Sequence, residues 1–142
     1  QAMRIYSRPV SKGSTMTITV QVRDFLQAYT ILETSIKENR NFSTRGKYLI
    51  SRLYVSLFDE FKQSEEQRVS LIKKYGIEDK DGGTYSVPAE KIADFQKEYN
   101  IILGEELVLY LEPIPLTALD TDRDAGFSIQ EFYLLGKFVE SD

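Results

Sequence analysis

The stretch from Ser64 to Leu116 constrains the fold more than any other part of this chain. A charged helix ends at Lys73-Lys74-Tyr75-Gly76, and a short acidic turn follows at Glu78-Asp79-Lys80-Asp81-Gly82-Gly83. A second helix carries Glu90 to Asn100, and Glu105 to Leu111 reads as a strand closed by Glu112-Pro113-Ile114-Pro115. That order predicts a helix–turn–helix–strand unit, and no reactive group stands out in it. Gly76 is placed to end its helix in the left-handed conformation. Thr84 to Val87 is predicted to pair with Tyr75 to Ile77 as a small hairpin. Pro88 then opens a helix over 89–103 with a buried stripe of Ile92, Phe95, Tyr99 and Ile102, stopped at Gly104.

The flanking segments follow the same periodic logic. Met16 to Val22 alternates apolar and polar residues and is rich in β-branched types, the pattern of a half-buried strand. From Asp24, Phe25, Leu26, Ala28, Tyr29, Leu32 and Ile36 recur at helical spacing as far as the polar cluster Asn39-Arg40-Asn41. Ser43 or Thr44 can cap the longest helix, read as running unbroken to Tyr75. Its apolar face is Ile50, Leu53, Tyr54, Leu57, Phe58 and Phe61, resuming at Val69 and Ile72. Leu107 to Leu111 is apolar on both faces, which predicts a strand covered on both sides.

Ser128 and Glu131 form a capping box, and Phe127 and Phe132 hold the positions of a hydrophobic staple. The closing helix should present Phe132, Leu135 and Val139 to the core. The expected fold is α+β. A long antiparallel helical hairpin, a third helix and a C-terminal helix pack on a small sheet of 16–22 and 107–111. Residues 1–15 read as an extended arm whose Gln1-Ala2 resembles a tag remnant, and 16–142 as a single domain.

Composition removes much chemistry. The chain has no Cys and no His, so disulfides, thiolate nucleophiles, Cys/His zinc sites and imidazole acid–base catalysis are excluded. Its net charge of −4 argues against nucleic-acid binding through a general basic field. Arg40, Arg45, Lys47 and Arg52 could make a local basic patch, and the plainer reading is a solvated helix end. No apolar run approaches a membrane span and no signal-peptide pattern is present, so the expected setting is the cytoplasm. Gly82-Gly83 lacks the Lys-Ser or Lys-Thr of a phosphate loop.

One motif points to a ligand. Asp120, Asp122, Asp124, Ser128 and Glu131 stand at the oxygen-ligand positions of a twelve-residue calcium loop, with Phe127 at the eighth place. Two features depart from the pattern: Ala125 takes the glycine position, with Gly126 one place late, and Pro113 and Pro115 lie where the entering helix should be. An acidic loop before a capped helix accounts for nearly the same residues. Apart from that calcium reading, no cofactor is expected. The other carboxylates (Glu65, Glu66, Glu78, Asp79, Asp81, Asp94, Glu98, Glu105 and Glu106) suit solvated faces. Of the tyrosines, Tyr85, Tyr110 and Tyr133 are placed to serve as interface anchors.

From Thr17 onward the chain resembles a family of short, functionally uncharacterised proteins encoded by tailed bacteriophages and prophages. The resemblance rests on the opening strand and helix, Lys74-Tyr75-Gly76 with its acidic Gly turn, Phe95-Gln96-Lys97-Glu98-Tyr99, the 106–111 strand with Pro113-Ile114, and the short closing helix. The segment before Thr17 and the Asp120 to Asp124 cluster depart from it. The family offers no catalytic residues to carry over. It implies a non-enzymatic accessory protein acting in the bacterial cytoplasm on a host protein, such as a defence or nucleic-acid-processing complex. Glu65, Glu66, Glu78, Asp79, Asp81 and Tyr85 are the expected interaction surface, with no direct nucleic-acid or membrane partner. The alternatives are a virion structural protein self-associating through its long helices, a calcium-stabilised module, and an enzyme of the metal-dependent hydrolase type.

Overall fold

The computed structural model describes residues 15–119 and 126–140. Residues 1–14 of the expected N-terminal arm, and Asp120, Asp122 and Asp124 of the expected calcium loop, therefore lie outside the described residues. The fold is α+β. Strand β1 (Met16–Gln21) leads directly into helix α1 (Val22–Lys37), followed by α2 (Thr44–Ser56) and α3 (Phe58–Tyr75). A hairpin of β2 (Ile77–Glu78) and β3 (Tyr85–Ser86) joins α3 to α4 (Ala89–Leu103). Strands β4 (Glu106–Leu111) and β5 (Ile114–Pro115) come next, with a 3-10 turn at Leu116–Leu119. Helix α5 (Ile129–Leu134), a second 3-10 turn (Gly136–Phe138) and β6 (Val139–Glu140) close the chain. No helix of the described residues is long and apolar enough to cross a membrane.

The main sheet is the expected one. β1 runs antiparallel to β4, with Ile18 opposite Leu109 and Val20 opposite Leu107. Helix α1 begins two residues before Asp24, because the Val22 amide donates to the Glu105 carbonyl at 2.9 Å. One hydrogen bond thus extends the ladder and satisfies a helix-terminal donor that has no intrahelical partner. The helix ends where Asn39 takes a left-handed backbone (φ 50°), a conformation that asparagine tolerates better than most residues.

Two expectations about the helices are corrected. The long helix is broken at Leu57, which joins α2 to α3 at φ −97°, ψ −2°. The Ser56 hydroxyl donates to the Leu53 carbonyl at 2.7 Å, the back-bonding that bends helices, and Leu57 turns into the core. Gly76 is extended (φ −94°, ψ 167°), not left-handed. Its requirement for glycine is steric: a Cβ there would stand 2.6 Å from the Ile72 carbonyl oxygen.

The core gathers Phe25, Tyr29 and Leu32 of α1, Ile50, Leu53 and Leu57 from the broken helix, Leu109 and Leu111 of β4, and Ile114, Leu135 and Phe138. Each such burial contributes roughly 1.5–3 kcal/mol relative to an exposed side chain. The closing helix is shorter than its sequence pattern. It ends at Leu134, and Val139 lies instead in β6, pairing in parallel with Ile114 of β5. The tighter 3-10 turn beginning at Gly136 buries Phe138 and brings Val139 to that strand.

The expected burial of α4 is only partial, with Phe95, Tyr99 and Ile102 half-buried and Ile92 exposed. Ile92, Phe95, Tyr99 and Ile102 lie on one side, yet none is buried, because α4 packs chiefly on α3 and only slightly on α1. β4 is likewise open on one face, with Glu106, Val108 and Tyr110 exposed opposite the buried Leu109 and Leu111. A two-stranded sheet with helices on one side cannot cover both faces of its strands.

Candidate interaction surface

The acidic hairpin is assembled from local bonds. Ile77 lies opposite Ser86 and Glu78 opposite Tyr85. The Asp79 amide donates to the Thr84 carbonyl (2.8 Å) and the Gly82 amide to the Asp79 carbonyl (2.9 Å). Gly82 and Gly83 take φ of 79° and 82°, which glycine adopts without steric cost. The Asp79 carboxylate accepts from the Lys80 amide at 2.8 Å. Glu78 and Asp81 are exposed beside it, and none of the three carboxylates forms an ion pair among the described residues. Tyr85 is half-buried under the Lys73 ammonium, whose Nζ sits 5.8 Å from the ring centroid.

Behind this tip, α3 and α4 are clasped by one carboxylate. Glu98 Oε1 accepts from Lys74 Nζ at 2.7 Å and from the Tyr75 hydroxyl. The hydrogen bonds from Lys74 and then Tyr75 hold the Glu98 carboxyl below the usual range. In return, the Glu98 hydrogen bond raises both Lys74 and Tyr75. Tyr75 meets Phe95 edge-on at 6.5 Å, and Phe95 stacks near Tyr99 at 5.8 Å. The sequence displayed Lys74, Tyr75 and Glu98 separately; periodicity could not show that they meet across two helices.

The expected acidic surface divides in two. Glu65 is bound to Arg68, which donates to both its oxygens (2.8 and 3.2 Å). Glu65 and Glu66 lie about ten helical residues before the hairpin, roughly 15 Å along α3. Glu78, Asp79 and Asp81 share one hairpin with Tyr85; Glu65 and Glu66 are not part of that tip. The other two expected anchors, Tyr110 and Tyr133, are exposed.

At the start of α5, the Ser128 hydroxyl accepts from the Glu131 amide (3.1 Å) and Glu131 Oε1 accepts from the Ser128 amide (2.9 Å). The same oxygen also accepts from Arg40 Nη1 at 2.7 Å. Of the expected calcium ligands, the described ones are thus committed to a cap and a guanidinium. Among the described residues, no group of three or more acidic side chains is gathered as a metal site would need. The expected basic patch is partly neutralised, with Arg40 on Glu38 and Glu131 and Arg52 beside Glu112 at 3.7 Å.

No family model, curated protein or solved structure matches this chain.

Proposed function

We propose that this is a non-enzymatic binding protein, of the accessory type made by tailed phages, that docks on a basic surface of a host protein in the bacterial cytoplasm. The reading rests on the hairpin between α3 and α4. It presents Glu78, Asp79 and Asp81 without cationic partners among the described residues, beside the half-buried ring of Tyr85. Carboxylates held on a braced turn favour association with a cationic groove by speeding encounter and fixing orientation. Glycines with positive φ let the turn that carries these groups close tightly. A chain without Cys or His has no thiolate or imidazole chemistry.

The test is capture of bacterial proteins on the tagged chain, read by mass spectrometry, with two charge-reversal variants. In one, Glu78, Asp79 and Asp81 are all changed to Lys. In the other, Glu65 and Glu66 are. Stoichiometric capture that is lost in the first variant and kept in the second supports the hairpin as the docking surface. Capture insensitive to the first variant rejects it.

A further inference from the structure

Strand β4 has one edge bound to β1 and a second edge to which no strand is paired among the described residues. The register tells which residues face that second edge. Opposed residues of an antiparallel pair alternate between bonded and non-bonded. The Val22–Glu105 pair is bonded, since the Val22 amide donates to the Glu105 carbonyl. The bonded pairs of the ladder are therefore Val20 with Leu107, Ile18 with Leu109 and Met16 with Leu111. The remaining residues, Thr17, Thr19 and Gln21 on β1 and Glu106, Val108 and Tyr110 on β4, turn their backbone groups away from the ladder. Thr19 provides an independent check, because its carbonyl accepts from Lys137 Nζ at 2.8 Å at the outer edge of β1.

The two edges are thus unlike. The β1 edge is guarded by a lysine, a common device against further strand addition. The β4 edge carries the outward N–H and C=O groups of Glu106, Val108 and Tyr110, and Val108 and Tyr110 are 56% and 62% exposed. We propose that this edge pairs with the same edge of a second copy, antiparallel across a twofold axis at Val108, forming the four-stranded order β1–β4–β4–β1.

The sequence of β4 is self-complementary when a second copy pairs in this register. With Val108 facing Val108 of the other copy, Glu106 of each chain faces Tyr110 of the other, and every outward backbone group of the three residues is bonded. The two Glu106 carboxylates are then separated by about 13 Å along the strands. Shifting the axis to Glu106 would set like charges directly opposite, which is destabilising, and would leave Tyr110 without a partner. Because Lys137 closes the other edge, pairing ends at a dimer instead of extending into a fibre. The long helices take no part in the pairing.

The test is sedimentation equilibrium of the full chain over a wide concentration range, with Val108→Pro, Val108→Glu and Val108→Thr alongside. The Val108 amide is not used by the β1–β4 ladder, so proline there removes no internal bond, and edge positions of this kind tolerate it. Val108→Glu places two carboxylates face to face on the axis, whereas Val108→Thr keeps the shape. The expected result is a mass that rises to twice that of the chain for the native protein and Val108→Thr, and stays at one chain for the other two variants. Circular dichroism checks that each variant is folded; if Val108→Pro is not, Val108→Glu decides. A native protein that stays monomeric throughout overturns the proposal and leaves the edge open to an extended segment of another protein. A dimer unaffected by Val108→Glu overturns it equally. The readout is mass, so it is independent of host-protein capture at the hairpin tip.

Discussion

Arg40 Nη1 and Glu131 Oε1, 91 positions apart in sequence, meet at 2.7 Å and fasten the loop after α1 to the first turn of α5. Both side chains are largely shielded from water, at 18% and 22% exposure. The same Glu131 oxygen completes the capping box of α5. One carboxylate therefore stabilises a helix end locally and a tertiary contact at long range.

Glu131→Gln should destabilise the protein by about 1–2 kcal/mol, since it weakens a cap and an ion pair together. Burial alone would raise the Glu131 carboxyl, but the hydrogen bonds from Arg40 and Ser128 outweigh it and hold it below its ordinary value. A carboxyl whose folded pKa is depressed gives stability that is present above its unfolded pKa and is lost as pH falls through the folded one. Urea unfolding from neutral to acid pH should show that loss in the native protein and a flatter profile in the variant.

Tyr29→Phe should stabilise the fold by about 1 kcal/mol, because a buried hydroxyl without a partner carries an unrecovered desolvation cost. Tyr29 is 1% exposed and its hydroxyl meets no partner in good hydrogen-bond geometry, the nearby Tyr54 hydroxyl being spent on Glu33 at 3.2 Å. The ring stacks on Phe61 with centroids 4.2 Å apart, and phenylalanine keeps that contact. Burial, then the neighbouring Tyr54 and Glu33, raise the Tyr29 pKa. The fold therefore disfavours ionised Tyr29, and stability should fall as pH rises above the unfolded pKa of tyrosine towards the folded one. Thermal melts at neutral and alkaline pH check both claims; a lower melting temperature for Tyr29→Phe would refute the first.

Gly76→Ala should cost about 1–3 kcal/mol, the usual range for overpacking. The new methyl would meet the Ile72 carbonyl at 2.6 Å and the Ser86 carbonyl at 3.2 Å, both backbone atoms that cannot swing aside. Gly83→Ala meets nothing within 4 Å but must hold φ at 82°, so its cost is conformational. Chemical denaturation of the two variants measures each effect.

Helix α4 should exchange its amide hydrogens faster than α1. It has no buried residue, whereas α1 buries Val22, Phe25, Ala28, Tyr29, Ile31, Leu32 and Ser35. Few buried contacts mean a smaller free energy of local opening. Equal protection of the two helices in native-state exchange would contradict this.

Calcium should leave the melting temperature where chelator leaves it, because Glu131 would have to exchange Arg40 and the Ser128 amide for the ion. A calcium-dependent rise, larger in Arg40→Met, would instead assign the Asp120–Glu131 segment to metal binding.

Much of this architecture is written in local sequence. The alternation of Met16 to Gln21, the Ser43 cap, the span Ala89–Leu103, the turn at Gly82-Gly83 and the Ser128–Glu131 box all depend on groups within a few residues of one another. Such interactions leave a pattern that spacing alone reveals. The tertiary structure decided what spacing cannot encode. It broke the long helix at Leu57, left α4 without a buried residue, opened one face of β4, and joined Lys74, Tyr75 and Glu98 into one cluster. It also separated Glu65 and Glu66 from the carboxylates of the hairpin. An apolar stripe states that a face can be covered; whether it is covered depends on how much surface the other elements supply.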